Sequence, residues 1–282
     1  MIDLHTHSIC SDGTTTPAEN VALAVGAGLS GLALTDHDTL AGWVEAAAAC
    51  ERLGLEFVPG IELSTEDNDL SVHVLGYWVD PGHAALAEEC ARLRDERADR
   101  AARILDKLAA LGLSLDPAAV AAHAGDAPIG RPHIAKAMVD AGFVPDLGTA
   151  FQDYLADGGP AWVVKHALSP EKGVALIRAA GGVAVLAHPG STAYGVADET
   201  LVDRLCAAGL AGLEADHAGH DAETVEHWRK VAVLRDLVVT GASDFHGDGK
   251  DVLIGARTTS ADVVKELRER AAPVAAGGRE PW

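Results

Sequence analysis

Cysteine is scarce and unpatterned in this chain of 282 residues: Cys10, Cys50, Cys90 and Cys206 form no Cys-x-x-Cys spacing. That distribution argues against a zinc ribbon or a disulfide framework and fits reduced thiols in a cytosol. Long apolar runs are missing too, and no basic stretch followed by an apolar one opens the chain. Neither a transmembrane helix nor a signal peptide is expected, and the reading is a cytoplasmic protein with no membrane partner. Basic residues are outnumbered, with 22 Lys and Arg against 42 Asp and Glu and a formal net charge of -20. A broad basic face for long duplex nucleic acid is thereby excluded, because such affinity comes from cations on phosphates. A small phosphorylated substrate is not excluded, and bound divalent cations would offset several carboxylates locally.

Apolar side chains are plentiful at 48%, enough to bury a full core as one α/β barrel or two smaller domains. From Met1 to about Trp78, short apolar strands alternate with amphipathic helices across turns rich in Gly and Pro. Strands are expected at Ile2–Leu4, Gly31–Thr35, Glu56–Gly60 and Ser71–Tyr77, and helices at Pro17–Ala27 and Thr39–Leu53. The rhythm breaks at Asp80-Pro81-Gly82. A long charged helix follows to about Leu111, with Glu88, Arg92, Asp95, Glu96 and Arg100 spaced for i,i+4 pairs. Shorter helices over Pro117–Ala124, Pro132–Ala141 and Gly148–Asp157 complete a helical insertion spanning 83–164. The βα rhythm resumes with strands at Gly182–Ala187, Leu210–Ala215 and Leu237–Gly241 and helices at Pro170–Ala180, Glu199–Ala208 and Ala222–Arg235. A last helix is expected near Ala261–Ala272. The strands number seven, and the barrel part comprises 1–82 and 165–282.

The chemistry-bearing residues gather at strand ends. His5 and His7 flank Thr6 after the first strand, and side chains at i and i+2 of a strand share a face. Asp12 follows in Ser11-Asp12-Gly13. Thr35-Asp36-His37-Asp38 ends the second strand and Gly60-Ile61-Glu62 the third. His73 lies in the fourth, His188 ends the fifth, and Ser243-Asp244-Phe245-His246 follows the seventh. One such residue alone is more often a cap or turn former. So many ionisable groups at one mouth would be costly to bury unless cations compensated them.

These motifs resemble those of the PHP (polymerase and histidinol phosphatase) family at His5-Thr6-His7, Thr35-Asp36-His37, His188 and Asp244-Phe245-His246. The resemblance spans most of the chain and implies a distorted seven-stranded (β/α)7 TIM-like barrel. It further implies two to three divalent ions at the mouth, manganese first, with iron, zinc or magnesium as alternatives. Nine ligands carry over: His5, His7, Asp12, His37, Glu62, His73, His188, Asp244 and His246. One ion would take His5, His7, Glu62 and Asp244, a second Glu62, His73 and His188, and a third Asp12, His37 and His246. Nitrogen-plus-carboxylate ligation independently suits Mn, Fe or Zn over Ca. Adjacent divalent ions would turn a shared water into a hydroxide that attacks phosphorus. Asp12 and His37 enter this expectation as catalytic ligands of the third ion, and His188 as a candidate donor to the leaving group.

The insertion and its Gly130-Arg131-Pro132-His133 look like the subgroup of small bacterial phosphoesterases acting on nucleoside 3′,5′-bisphosphates and on short RNA from the 5′ end. Arg131, before a helix, is expected to grip a second phosphate, with His133 beside it. Lys165, with His166 next to it, and His217 are further substrate-contact candidates. His217 sits in Asp216-His217-Ala218-Gly219-His220, where relatives commonly show Tyr-His-Pro-x-His, so any role of the Tyr and Pro is open here. Asp36 and Asp38 are expected to orient His37 or cap the following helix. His83, His123, His227 and Cys10 read as packing or surface residues. Three alternatives stand beside the nucleotide phosphoesterase: a histidinol-phosphate-type phosphatase, an amidohydrolase-type C–N hydrolase and a non-catalytic metal-binding module. The nine filled positions weigh against the module. The absence of a strand-end Lys before Lys165 weighs against the C–N hydrolase.

Overall fold

The computed structural model describes residues 1–68, 70–125, 129–164, 168–191, 196–249 and 251–271. Seven strands run in chain order through one sheet: β1 Ile2–Asp3, β2 Gly31–Leu34, β3 Glu56–Asp67, β4 Leu70–Tyr77, β5 Val183–Leu186, β6 Gly212–His217 and β7 Val238–Ala242. All neighbours are parallel except β4, which is antiparallel to both β3 and β5. Beyond β7 the sheet curls back onto β1. The His7 N–H donates to the Phe245 carbonyl at 2.8 Å, and Ile2 bridges Thr259. The result is a nearly closed seven-stranded α/β barrel.

Helices α1 Pro17–Gly26, α2 Trp43–Leu53, α7 Pro170–Ala179, α8 Glu199–Ala208, α9 Ala222–Leu234 and α10 Ala261–Glu269 connect or follow the strands. Their starts carry local signals, such as Thr16, which caps α1 in a reciprocal capping box with Glu19 ahead of Pro17. The two-residue period of the strands sorts side chains between two clusters. Leu32, Leu34, Ile61, Leu63, Val74, Leu213 and Ala215 pack with the helices. Ala33, Val58, Leu75, Tyr77, Val185 and Val238 pack together on the opposite face. Glu62, His73 and Glu214 alternate with the helix-facing residues and therefore point to the inner side.

Two differences from the sequence expectation shape the site. β3 does not stop at Gly60 but runs on to Asp67 and turns at Asn68, with φ 49°, into β4. Gly60 serves close packing: a Cβ there would stand 2.7 Å from the Thr35 side chain. Glu62 thus lies within a long hairpin and not at a strand end. Helix α2 begins at Trp43 with Gly42 as its N-cap, so Asp38 is not the cap of this helix.

Between β4 and α7 lie α3 Ala84–Ala110, α4 Pro117–Ala124, α5 Arg131–Asp140, α6 Leu147–Ala150 and a π-helical turn at Phe151–Leu155. They share a cluster of their own, built on Ala101, Ile104, Leu108, Val120, Ile134, Met138 and Leu155. His83 is the N-cap of α3, its ring accepting from the Leu86 N–H. The inner face of α3 returns to the barrel. Arg94 donates to the Asp38 carbonyl at 2.8 Å, and Arg97 donates to the Asp38 carboxylate at 2.9 Å.

Candidate metal centre

Thr6 fixes the first pair of imidazoles. Its N–H donates to Thr35 Oγ1 and its hydroxyl donates to the Ala33 carbonyl at 2.6 Å, locking the β1 end onto β2. His5 Nε2 and His7 Nε2 then stand 3.0 Å apart. Both face Glu62 Oε2, at 3.2 and 3.1 Å, and Asp244 Oδ1, at 3.4 and 3.3 Å. Glu62 continues inward: Oε2 is 3.2 Å from His37 Nδ1, while Oε1 is 2.9 Å from His73 Nδ1 and 3.0 Å from His188 Nε2. Asp12 lies 3.4 Å from His246 Nε2 and 3.7 Å from both His37 Nε2 and His7 Nδ1. All nine residues named from the sequence are therefore gathered at one mouth, and all are buried.

Three sets of donor atoms converge within 4.8 Å: His7, Asp12, His37 and His246; His5, His7 and Asp244; and His37, Glu62 and His73. Divalent-metal bonds to imidazole and carboxylate of about 2.0–2.2 Å place neighbouring ligands about 3 to 3.5 Å apart. The separations around Glu62 and Asp244 fall in that range, so the donor set fits divalent cations.

Electrostatics point the same way. Burial opposes the charged form at Asp12 and Glu62, yet the surrounding imidazoles outweigh it and hold both carboxyls well below their usual range. Burial also dominates at His37, whose pKa falls well below normal, so the ring is neutral and offers one nitrogen lone pair. His188 and Asp244 sit at φ 26° and 56°, left-handed conformations that side chains rarely adopt and that tend to persist at functional sites.

Flanking residues aim these groups. The His246 Nδ1–H donates to the Asp244 carbonyl at 2.8 Å and turns Nε2 toward Asp12. Asp36 accepts from the Ser8 N–H, the Ser8 hydroxyl and the Ser11 hydroxyl, each at 2.7 Å, and so shapes the loop carrying Asp12. His217 Nε2 is 3.3 Å from Asp244 Oδ2. Glu214, unmarked by any motif, contacts His5 Nδ1 at 3.1 Å. Its signal in the sequence is a lone carboxylate on the inner face of an apolar strand.

A cavity opens from this cluster toward the helical segment. Asp12, His37 and His73 of the cluster line it together with Arg97, Arg100 and Arg131, and Ser64, Ser71, Ile104, Ile134 and Phe151 complete the wall. Arg131, expected to grip a phosphate, is braced by Asp157 and the Leu155 carbonyl through Nη1. Arg100, read from sequence as a helix-surface charge, is buried. Its Nε donates to the Val163 carbonyl at 2.8 Å, while its Nη2 has no hydrogen-bond partner among the described residues. Burial, then the charge of Arg131, pushes its pKa down to about 9. His133 caps its own helix, Nδ1 accepting from the Gly130 N–H. Lys165 and His166 lie outside the described residues.

A barrel mouth holding interlocked nitrogen and carboxylate donors beside an arginine-lined cavity defines a metal-dependent hydrolase of phosphate esters. Residues 3–111 match the family described as PHP domain. A 3′,5′-nucleoside bisphosphate phosphatase from Chromobacterium violaceum is 37% identical over 261 residues, covering 88% of each chain. A 5′-3′ exoribonuclease from Haemophilus influenzae is 34% identical over 86% of this chain and 89% of its own. A solved structure from Bifidobacterium adolescentis, assigned as a metal-dependent phosphoesterase, superimposes with a TM-score of 0.90 at 36% identity, over 99% and 98% of the two chains. The chain belongs to the PHP family and is a metal-dependent phosphoesterase.

Proposed function

We propose that this enzyme hydrolyses phosphate esters of nucleotides, namely nucleoside 3′,5′-bisphosphates and the 5′-terminal nucleotides of short RNA. The observation that carries the reading is the cavity joining the buried donor cluster to Arg97, Arg100 and Arg131, with the Arg100 Nη2 unpartnered among the described residues. An undercompensated buried cation favours an anionic guest, and a guanidinium meets phosphate with two parallel donors. A substrate with two separated phosphates engages both the donor cluster and the cavity arginines, whereas a compact monoester of the histidinol phosphate type engages the cluster alone.

His5, His7, Asp12, His37, Glu62, His73, His188, Asp244 and His246 hold two to three divalent cations, manganese first. Bound there, the cations activate water and offset the charge of the reacting phosphate. The protein does the rest. Asp12, His37 and His73 are the cluster members that line the cavity, so the scissile phosphate lies against them. Glu62 and Asp244 keep the imidazoles converged. Arg100 holds the second phosphate, with Arg131 kept in place by Asp157 and Arg97 by Asp38. The apolar stretch from Ile104 to Phe151 accepts the nucleoside. Residues 83–164 thus act as a substrate-binding cap on the barrel. His133, His217 and Lys165 remain secondary contacts, and His188 serves chiefly to hold Glu62 and the cations.

The test is phosphate release by manganese-loaded protein from a nucleoside 3′,5′-bisphosphate, a 5′-phosphorylated short RNA and an aryl phosphate. Release from the nucleotides at lower KM than from the aryl ester is expected. Arg100→Ala is expected to raise the nucleotide KM about tenfold to a hundredfold, from loss of about 1.5–3 kcal/mol of charged hydrogen bonding, with aryl phosphate hydrolysis unchanged. No release from any of the three, or equal loss on the aryl ester, contradicts the reading.

A further inference from the structure

We propose that the carboxyl end of β6 is a positioning clamp for the donor cluster, worked by Glu214 and His220. The inference rests on the reading that His5 and His188 help hold metal.

Glu214 is fully buried, between Leu213 and Ala215, which face the helices. Its carboxylate oxygens lie 3.1 and 3.3 Å from His5 Nδ1, and Oε2 also accepts the His188 backbone N–H at 3.0 Å. One carboxylate thus orients the ring of one cluster member and fixes the backbone of another. An ionised carboxylate only accepts hydrogen bonds, so the His5 proton belongs on Nδ1. Nε2 is then left with its lone pair toward His7, Glu62 and Asp244. Carboxylate partners of this kind set the tautomer and orientation of metal-holding imidazoles.

His220 secures the other side of the His188 loop. Its Nδ1–H donates to the Ala215 carbonyl at 2.9 Å, and its Nε2 accepts the Gly190 N–H at 3.1 Å. Both ring nitrogens are committed, which leaves His220 no lone pair for a cation. Gly190 makes the approach possible, since a Cβ there would stand 2.3 Å from Thr224 and 3.0 Å from the His220 ring. Between these two anchors lies His188 at φ 26°. A left-handed non-glycine residue persists only where its surroundings over-determine it, and Glu214 and His220 supply that constraint.

Glu214→Gln keeps the volume but sets an NH2 donor against either the His5 Nδ1–H or the His188 N–H, so one of the two contacts becomes donor against donor. The experiment compares wild type, Glu214→Gln and His220→Asn by manganese affinity in chelator competition, melting of the metal-free protein, and ¹⁵N NMR of the His5 ring in the zinc-loaded protein. Manganese affinity is expected to fall about tenfold to a hundredfold in Glu214→Gln, with kcat reduced, KM unchanged and metal-free melting preserved. The zinc-loaded wild type is expected to show the His5 proton on Nδ1. Wild-type affinity in both variants, or a proton on Nε2, overturns the clamp. So does a loss confined to metal-free melting, which would make the two residues merely structural. If wild type itself binds no manganese, the underlying metal reading fails first, and the clamp with it.

Discussion

Glu62 meets five imidazoles, those of His5, His7, His37, His73 and His188, within 3.2 Å. A carboxylate offers about four lone-pair sites, too few to meet five rings singly, whereas shared cations would bind carboxylate and imidazoles together. Asp12 stands at the opposite edge, between His37 and His246, and faces the cavity. Asp12→Ala is expected to lower kcat at least a hundredfold, the equivalent of about 3 kcal/mol of charge stabilisation, while circular dichroism and melting remain those of the folded protein. Retained turnover with full metal content would remove Asp12 from the chemistry. The nine cluster residues were legible in sequence because His, Asp and Glu stand out beside short apolar strands. Arg97 and Arg100 were not, since a charged residue on a long amphipathic helix looks the same whether it faces solvent or a cavity. Arg100 in particular fits an i,i+4 partnership with Glu96, yet it donates to the Val163 carbonyl, and Glu96 accepts from Arg103.

Helix α3 is the element that joins the two parts of the molecule. Its Arg97 meets Asp38, which follows His37 directly, adopts φ 55° and also accepts the Ser64 N–H at 2.8 Å. The Asp38 side chain is fully buried and that of Arg97 only 19% exposed, so solvent screens the pair little. A double-mutant cycle with Arg97→Ala and Asp38→Asn is expected to give a coupling energy of about 1–3 kcal/mol in urea unfolding. Additive losses would show that α3 docks without this pair. Asp38 illustrates why element ends read poorly from sequence. An Asp before Thr39 suits a helix N-terminus, but α2 starts at Trp43, and Asp38 is instead engaged by Ser64 on the neighbouring strand and by Arg97 of α3. β3 was read short for a similar reason, its inner Gly60 resembling a turn until Thr35 is packed against it.

At the scale of the molecule, the alternation of strands and helices announced the α/β barrel, and the change of rhythm at Asp80-Pro81-Gly82 announced the helical segment. The antiparallel hairpin of β3 and β4 was not announced, and it is what carries Glu62 and His73 to the same place. The formal charge of -20 overstates the repulsion the fold must bear, because three of its carboxylates, Asp12, Glu62 and Asp244, lie inside a ring of imidazoles. No described helix is long and apolar enough to cross a membrane. The most direct measurement is a titration of metal-free protein with Mn²⁺, following both metal bound per chain and phosphate released from a nucleoside 3′,5′-bisphosphate. Release is expected to be absent at the start and to rise to a plateau as two to three ions bind. Full activity before any metal is added, or none once the sites are filled, would contradict a metal-dependent phosphoesterase at this mouth.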